Sequence, residues 1–377
     1  MGVRWWQRPL WVLWCLLWLL AGCGKAPESD NVFDLNSALG GVADAGFARA
    51  VGSREFHFPQ DHAAHPDFRN EWWYVTGNLQ TESGRHFGYQ VTLFRIALTP
   101  HPPDSPSVWA THQVWMAHVA LTDVEAGEHW HDQRFARGAV GLAGQASNPF
   151  RVWLEDWQIV GDGTGDFPWA IGVKAKDFSL NLQLGLAKPP VLQGDHGLSQ
   201  KSNEPGNASW YYSVTRLQTL GDIWRGDEHF TVTGESWLDR EWSTSALSAD
   251  QTGWDWFSLQ LQDGHDLMFY RLRKQSGEAD PHSAGKWVQP DGQAQTLVAQ
   301  DVELKPLRYW QAESGACYPV AWEISLPKQQ WRWRVEALVD DQLMRVGITY
   351  WEGAVKVVDA ESGRPLGYGY LEMSGYE

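Results

Sequence analysis

The stretch His65–Arg95, HPDFRNEWWYVTGNLQTESGRHFGYQVTLFR, carries the densest β signal in the 377-residue chain. Trp73, Val75, Gly77 and Leu79 alternate with Trp72, Tyr74, Thr76 and Asn78. Beyond a break, Phe87, Tyr89, Val91, Leu93 and Arg95 alternate with His86, Gly88, Gln90, Thr92 and Phe94. A period of two marks strands with two distinct faces, and neither face here is purely polar. Between the runs, Thr81-Glu82-Ser83-Gly84-Arg85 supplies a glycine where a hairpin loop commonly needs positive φ, so the spacing predicts an antiparallel hairpin rather than a crossover. The β-branched and aromatic content argues against helix.

A related pattern returns near Trp254. Trp254-Asp255-Trp256 opens an alternating run, Asp263-Gly264 forms a turn, and Leu267–Arg271 completes an aromatic strand ending in arginine, as the first hairpin does. Two related β units are therefore expected. Further alternating runs are Val108–Asp123, Phe150–Val160, Ile171–Leu186, Trp210–Leu217 and Phe230–Trp242, then Ala321–Leu326, Trp331–Leu338, Arg345–Tyr350 and Gly367–Tyr376. Short strands without long amphipathic helices between them predict an all-β protein of antiparallel barrels or sandwiches. Lys188–Ala208, with three prolines, reads as a long exposed loop suited to act as a lid.

The N-terminus has the layout of a secretory signal: Arg4 and Arg8, an apolar run from Leu10 to Ala21, then Leu20-Ala21-Gly22-Cys23. The run is too short to span a membrane as a mature helix. Residues 1–22 are expected to be removed, 23–53 to form a tether with a short helix within Leu35–Ala50, 54–245 to form a first domain and 246–377 a second. Removing Arg4 and Arg8 leaves 28 basic against 46 acidic residues, a balance of −18, which makes nucleic acid an improbable partner. Of three cysteines, Cys15 lies in the signal and Cys23 at its end, so Cys317 has no partner for a disulfide and is expected as a small buried hydrophobe. Twenty tryptophans remain outside the signal, more than a core needs, and point to concave surfaces lined by rings.

Three groups of residues invite chemistry. His57, Asp61, His62, His65, Asp67 and Glu71 crowd fifteen residues, but their spacing fits no metal motif and a hydrogen-bonded cluster is the simpler expectation. Gly234–Trp242, GESWLDREW, combines Glu235, Asp239, Glu241 and Arg240 with Trp237 and Trp242; burial would raise an acid's pKa there and Arg240 would lower it. In Trp254-Asp255-Trp256, alternation sends the carboxylate and the rings to opposite faces. No Gly-x-Ser-x-Gly and no phosphate loop is present.

Taken together, FPQDHAAHPDFRNEWWYVTGNL, GESWLDREWS, GWDWFSLQL and GYGYLEMSGY resemble the AttH and carotenoid 1,2-hydratase group of lipocalin-like proteins, over roughly Phe56 to Tyr376. The resemblance implies two tandem lipocalin-like β-barrels. It also implies either a lipoprotein accessory to an ABC-type export system or an enzyme that adds water to an isoprenoid double bond. Leu20–Cys23 resembles a bacterial lipobox, which implies a lipid on Cys23 and, with Gly24-Lys25 following, the periplasmic side of the outer membrane. By position Asp239 and Trp242 carry the hydratase-like Asp-His-x-Trp pattern, with Arg240 in the histidine's place, and Phe269-Tyr270-Arg271 stands where a Tyr-x-Asp is sought. A guanidinium cannot relay protons at ordinary pH.

The expectation is a membrane-anchored protein that binds an apolar or amphiphilic molecule without a cofactor or metal. Ligand contacts are expected from His62, His65, Glu71, Trp72, Trp73, Tyr74, Trp237, Trp254 and Trp256. Asp239, Glu241 and Trp242 are the residues for the hydratase alternative, and glycan binding on tryptophan platforms is a third class.

Overall fold

The computed structural model describes residues 45–163, 165–245 and 247–376. The signal and Cys23 lie outside these residues, as does most of the tether. Antiparallel strands fall into two sheets. The first comprises β1 (Asn70–Gln80), β2 (His86–Ala97), β3 (Gln113–Asp123), β4 (Glu128–Arg137), β5 (Ala143–Ser147), β6 (Phe150–Leu154), β7 (Trp157–Gly161), β8 (Trp169–Lys174), β9 (Ser179–Leu186), β10 (Val191–Leu192), β11 (Leu198–Gln200), β12 (Ala208–Arg225) and β13 (Glu228–Ser243). The second comprises β14 (Gln251–Leu261), β15 (Asp266–Lys274), β16 (Ala284–Val288), β17 (Ala294–Val298), β18 (Glu303–Gln311), β19 (Cys317–Leu326), β20 (Trp331–Ala337), β21 (Leu343–Met344), β22 (Tyr350–Asp359) and β23 (Pro365–Ser374). The first sheet curls into a nearly closed barrel and the second into a half-barrel, the tandem lipocalin-like arrangement.

Each unit is built the same way around its opening hairpin. β1 pairs with β2 on one side and with the last strand of its sheet, β13, on the other; β14 pairs with β15 and with the last strand, β23. Alternation along these strands divides the apolar residues. Trp73, Val75 and Leu79 enter the first barrel's core with Trp115, Trp157 and Trp169, while Phe257 and Leu259 enter the second core with Trp322 and Trp351. The other faces of the same strands meet. Tyr74, Tyr211 and Trp237 from the first sheet pack against Trp256, Met268 and Tyr370 from the second.

This seam is tight at one end. Gly88 approaches the second sheet so closely that a Cβ added there would lie 2.5 Å from the Cβ of Ala354. Nearby, Asn78 Nδ2 donates to the Gly369 carbonyl at 3.0 Å, and Asp266 binds Lys188 at 2.7 Å and Arg216 at 2.6 Å.

Several expectations are corrected. Phe150–Val160 is a hairpin, β6–β7, turned at Glu155 with φ 56°. Ile171–Leu186 is two strands, β8 and β9, and Val108–Asp123 becomes β3 only from Gln113. Arg345–Ile348 runs as loop because Val346 and Ile348 pack against Met116 of the first sheet instead of pairing with a strand. Lys188–Ala208 is strapped down rather than a free lid: β10 and β11 pair with β12, and Gln193 and Ser199 are fully buried. Of the helix expected within 35–50, residues 35–44 lie outside the described residues and 45–50 form turns and irregular chain; Cys317 is exposed at the start of β19.

Candidate functional site

Strand register decides which of the singled-out residues can act together. Across β1 and β13, Glu71 faces Trp242, Trp72 faces Glu241, Trp73 faces Arg240 and Tyr74 faces Asp239. Alternation then sends Glu71, Trp73, Arg240 and Trp242 into the first barrel and Trp72, Tyr74, Asp239 and Glu241 to the seam.

Inside the barrel, Glu71 is the hub of a charge clasp. It accepts from Arg95 Nε, from Arg240 Nη2 at 3.1 Å and from the His65 amide at 3.0 Å. Arg240 also donates to the carbonyls of Trp72 (2.6 Å) and Ala63 (2.7 Å) and lies 3.9 Å over the Trp73 ring. Burial would raise the Glu71 carboxyl, but Arg95, His65 and Arg240 outweigh it and hold Glu71 well below the carboxylate range. His65 stacks on Trp242 at 3.6 Å, and His62 bonds the Tyr212 hydroxyl at 2.6 Å. These residues pack and pair within the first barrel. The second barrel repeats the device: Asp255 binds Arg271 at 2.7 Å and Arg273 at 2.5 Å, and accepts from the Tyr376 hydroxyl at 2.8 Å.

At the seam an open-mouthed cavity of about 140 Å³ lies between the sheets. Rings line much of it: Trp72, Tyr74, Phe94, Tyr211, Trp254, Trp256, Tyr270 and Tyr350. Four carboxyl groups join them, Asp239 and Glu241 from β13, Glu352 from β22 and Glu372 from β23. A cluster of this kind cannot stay fully ionised in an apolar enclosure, because burial penalises the charged form and like charges reinforce the penalty.

The groups differ in how that penalty is met. Asp239 accepts from Tyr211 (2.5 Å), Ser213 (2.5 Å) and Trp237 Nε1 (2.7 Å), yet burial outweighs these donors and raises its pKa to about 7. Glu372 is also raised to about 7, by burial foremost and by Asp239 and Glu241, against hydrogen bonds from Trp254 Nε1 at 2.8 Å and from Glu352. Burial and the facing Glu372 push Glu352 well above the ordinary carboxylate range, toward its neutral form. Its Oε1 accepts from the Tyr74 hydroxyl at 2.7 Å, and its carboxyl also interacts with that of Glu372, which faces it on β23. Glu241 is paired instead, with Lys201 at 3.1 Å and with Ser209. Burial would lower the Lys201 pKa, but Glu241 and Tyr270 reverse it and the ammonium is kept charged. His118 bonds Tyr350 at 2.9 Å through Nδ1, leaves Nε2 without a partner, and is lowered to about 3 by burial, so it is neutral.

Of the expected ligand contacts, Trp72, Tyr74, Trp254 and Trp256 line the cavity, and Trp237 supports it through Asp239. His62, His65, Glu71 and Trp73 lie outside it, in the first barrel, and so does Trp242 among the expected catalytic residues; Asp239 and Glu241 line the cavity. Arg240 pairs with Glu71, not with its neighbours Asp239 and Glu241, which point the other way. Tyr270 reaches the cavity and Leu272 lines it two residues on, so β15 brings no acid. Glu352 and Glu372 bring carboxyls to the cavity from other strands, and sequence reasoning missed both, along with His118, Lys201 and Tyr211.

The architecture and its site define a class: paired antiparallel barrels joined around an aromatic cavity that also gathers buried carboxyls. Within that class the chain belongs to the AttH-like family, whose model matches residues 49–376. A crystal structure of an AttH protein from Nitrosomonas europaea is similar at 36% identity and TM-score 0.78, covering 88% of this chain and 100% of that one. Kievitone hydratase from Nectria haematococca shares the fold at 13% identity and TM-score 0.64, over 88% of this chain and 98% of its own. CghA with Sch210972 does so at 12% identity and TM-score 0.54, over 89% and 97%. No curated protein sequence matches the chain.

Proposed function

We propose that this protein takes an apolar, alkene-bearing molecule of isoprenoid type into the seam cavity and adds water across a double bond. Glu352 carries the reading: a carboxyl that burial and the facing Glu372 hold toward its neutral form, inside an aromatic enclosure, has the form of a general acid. A simple carrier has no use for several carboxyls gathered in an apolar cavity, where burial disfavours their charged form.

In this mechanism Glu352 delivers its proton to one alkene carbon, and the π bond's electrons form the new C–H bond. Positive charge develops on the other carbon, where the faces of Trp254, Trp256 and Tyr74 stabilise it by roughly 0.5–2 kcal/mol each. Water adds to that carbon and loses a proton to Asp239, whose pKa of about 7 suits it to accept one. Proton return from Asp239 to Glu352 through solvent resets the site. Incubation with an acyclic isoprenoid such as lycopene tests this. A product heavier by one water, with one carbon-bound deuterium in D₂O, is expected from wild type and not from Glu352→Gln. Tryptophan quenching without any mass change would instead support the carrier reading, in which the molecule is handed to an ABC-type permease.

Leu20-Ala21-Gly22-Cys23 and the family resemblance support a lipid anchor on the periplasmic side of the outer membrane, with an ABC-type export system as the partner that supplies or receives the ligand. Acyl chains contribute about 0.8 kcal/mol per buried CH₂, so anchoring needs no spanning strand or helix.

A further inference from the structure

We infer that the cavity opens against a lipid bilayer, with the β2–β3 loop as the contacting surface. Three structural features meet at one end of the molecule. The first is the mouth. Among the cavity-lining residues, Trp72, Phe94, Ser245, Leu247 and Trp254 keep partial exposure, whereas Tyr74, Asp239, Glu352 and Tyr350 deeper along the strands are buried. The other end of the seam is shut by Gly88 against Ala354 and by Asp266 with its two cations.

The second feature is the N-terminal segment, which runs beside this mouth. The Ala48 carbonyl accepts from Thr244, Arg49 lies against Gly206, and Gly206 in turn accepts from the mouth residue Ser245. Gly46 lies against Pro100 of the β2–β3 loop, within reach of 2.9 Å for an added Cβ. Residue 45 therefore sits where the ligand enters. Only 21 residues separate it from Cys23, so whatever path they take the two cannot be more than roughly 80 Å apart.

The third is the loop itself. Leu98, Val108 and Trp109 are 57%, 73% and 52% exposed, and Asp104 is the only Asp, Glu, Lys or Arg between Leu98 and His112. Its stem is fixed, since the Leu98 amide donates to the His112 carbonyl at 2.7 Å. Adjacent exposed apolar residues on a fixed stem mark a contact surface rather than scattered singles, and tryptophan favours the boundary between headgroups and acyl chains. A bilayer is the occupant because the tether leads there and because a ligand of isoprenoid type resides in it. The inference rests on the anchored reading for proximity but not on the hydration chemistry.

The test uses the full chain, processed in a bacterium, in the Cys317→Ser background with Val108→Cys carrying an environment-sensitive fluorophore. Leu220→Cys, exposed at the opposite end of the β1–β13 ladder, carries the same label as the control. Vesicles of phosphatidylethanolamine and phosphatidylglycerol contain nitroxide-labelled acyl chains. Quenching at position 108 several-fold above that at 220 is expected, whether the protein floats with the vesicles or is titrated with an excess of them. Flotation with equal quenching at both positions would overturn bilayer contact while leaving the anchor intact, and would point to a protein occupant. Failure to float would remove the anchor alone, and the titration would still decide contact. In a second arm, Val108→Asp with Trp109→Asp should slow uptake of a vesicle-borne isoprenoid several-fold but not uptake from detergent micelles. Equal slowing from both sources would also refute the inference.

Discussion

Glu352 and Glu372 stand directly opposite each other on β22 and β23, and both side chains reach the cavity. Like charges on facing positions of a ladder are unfavourable even at a surface, and burial magnifies the effect. The pair therefore keeps a proton that isolated carboxylates would release, and its titration belongs to both groups together.

Stability should fall as pH rises through the range where these groups titrate. The pKa of Asp239 rises from 3.8 unfolded to about 7, and that of Glu372 from 4.5 to about 7. The fold thus binds protons that the unfolded chain has lost. Their contribution is fully present below about pH 4 and disappears by about pH 7, at no more than roughly 1.4 kcal/mol per pH unit for each group. Urea melts between pH 4.5 and 7.5 should show this slope in wild type and a flatter one in Asp239→Asn with Glu372→Gln. An unchanged slope would mean that these acids are not neutralised by the fold.

Replacing Glu71 by Gln should cost about 3–5 kcal/mol, because Arg95 and Arg240 would be left buried without their anion. Denaturant melts measure it directly. Ligand-induced tryptophan quenching should persist at temperatures where the variant is folded, since Glu71 faces away from the cavity.

Arg240→His should lose stability and gain no hydratase activity. The guanidinium holds Glu71 and the carbonyls of Trp72 and Ala63, and no ring at that position reaches the seam. A gain in water addition by this variant would contradict the register described here.

Trp254→Phe keeps a ring at the mouth but removes one donor to Glu372. Loss of one hydrogen bond to the ionised form, about 1 kcal/mol, should raise the Glu372 pKa by somewhat under one unit. A pH titration of ligand binding or turnover would register the shift toward higher pH. No movement would separate Glu372 from the measured step.

Cys23→Ser should release the protein from stable membrane association or leave it unprocessed. Fractionation at high salt is the measurement, and mature protein still in the membrane pellet would end the lipoprotein reading.

Much of the fold was readable because the opening hairpin combines strict alternation with a glycine turn, and the same reading placed Asp255 opposite its flanking rings. The division of β13 into Asp239 and Glu241 on one face and Arg240 and Trp242 on the other also follows from a period of two. What alternation cannot supply is the curvature of the sheet and the partner each face meets. Arg240 beside two acids looks like their ion-pair partner until register gives it Glu71. Glu352 and Glu372 sit in ordinary-looking strands, twenty residues apart and with no local motif, and become a site only when β22 and β23 pair and the second sheet packs on the first. Lys201 and Ser199 come from a segment whose prolines suggested a free loop.

The two clasps have a consequence for how such a molecule can change. Glu71 faces Arg95 across one hairpin, and Asp255 faces Arg271 across the other, so each half carries its own fastening on its own inner side. Neither fastening draws on the side chains between the halves. Those side chains are released from the duty of fastening either half, and the chemistry between the halves can be retuned there, one ring or carboxyl at a time, without opening either one.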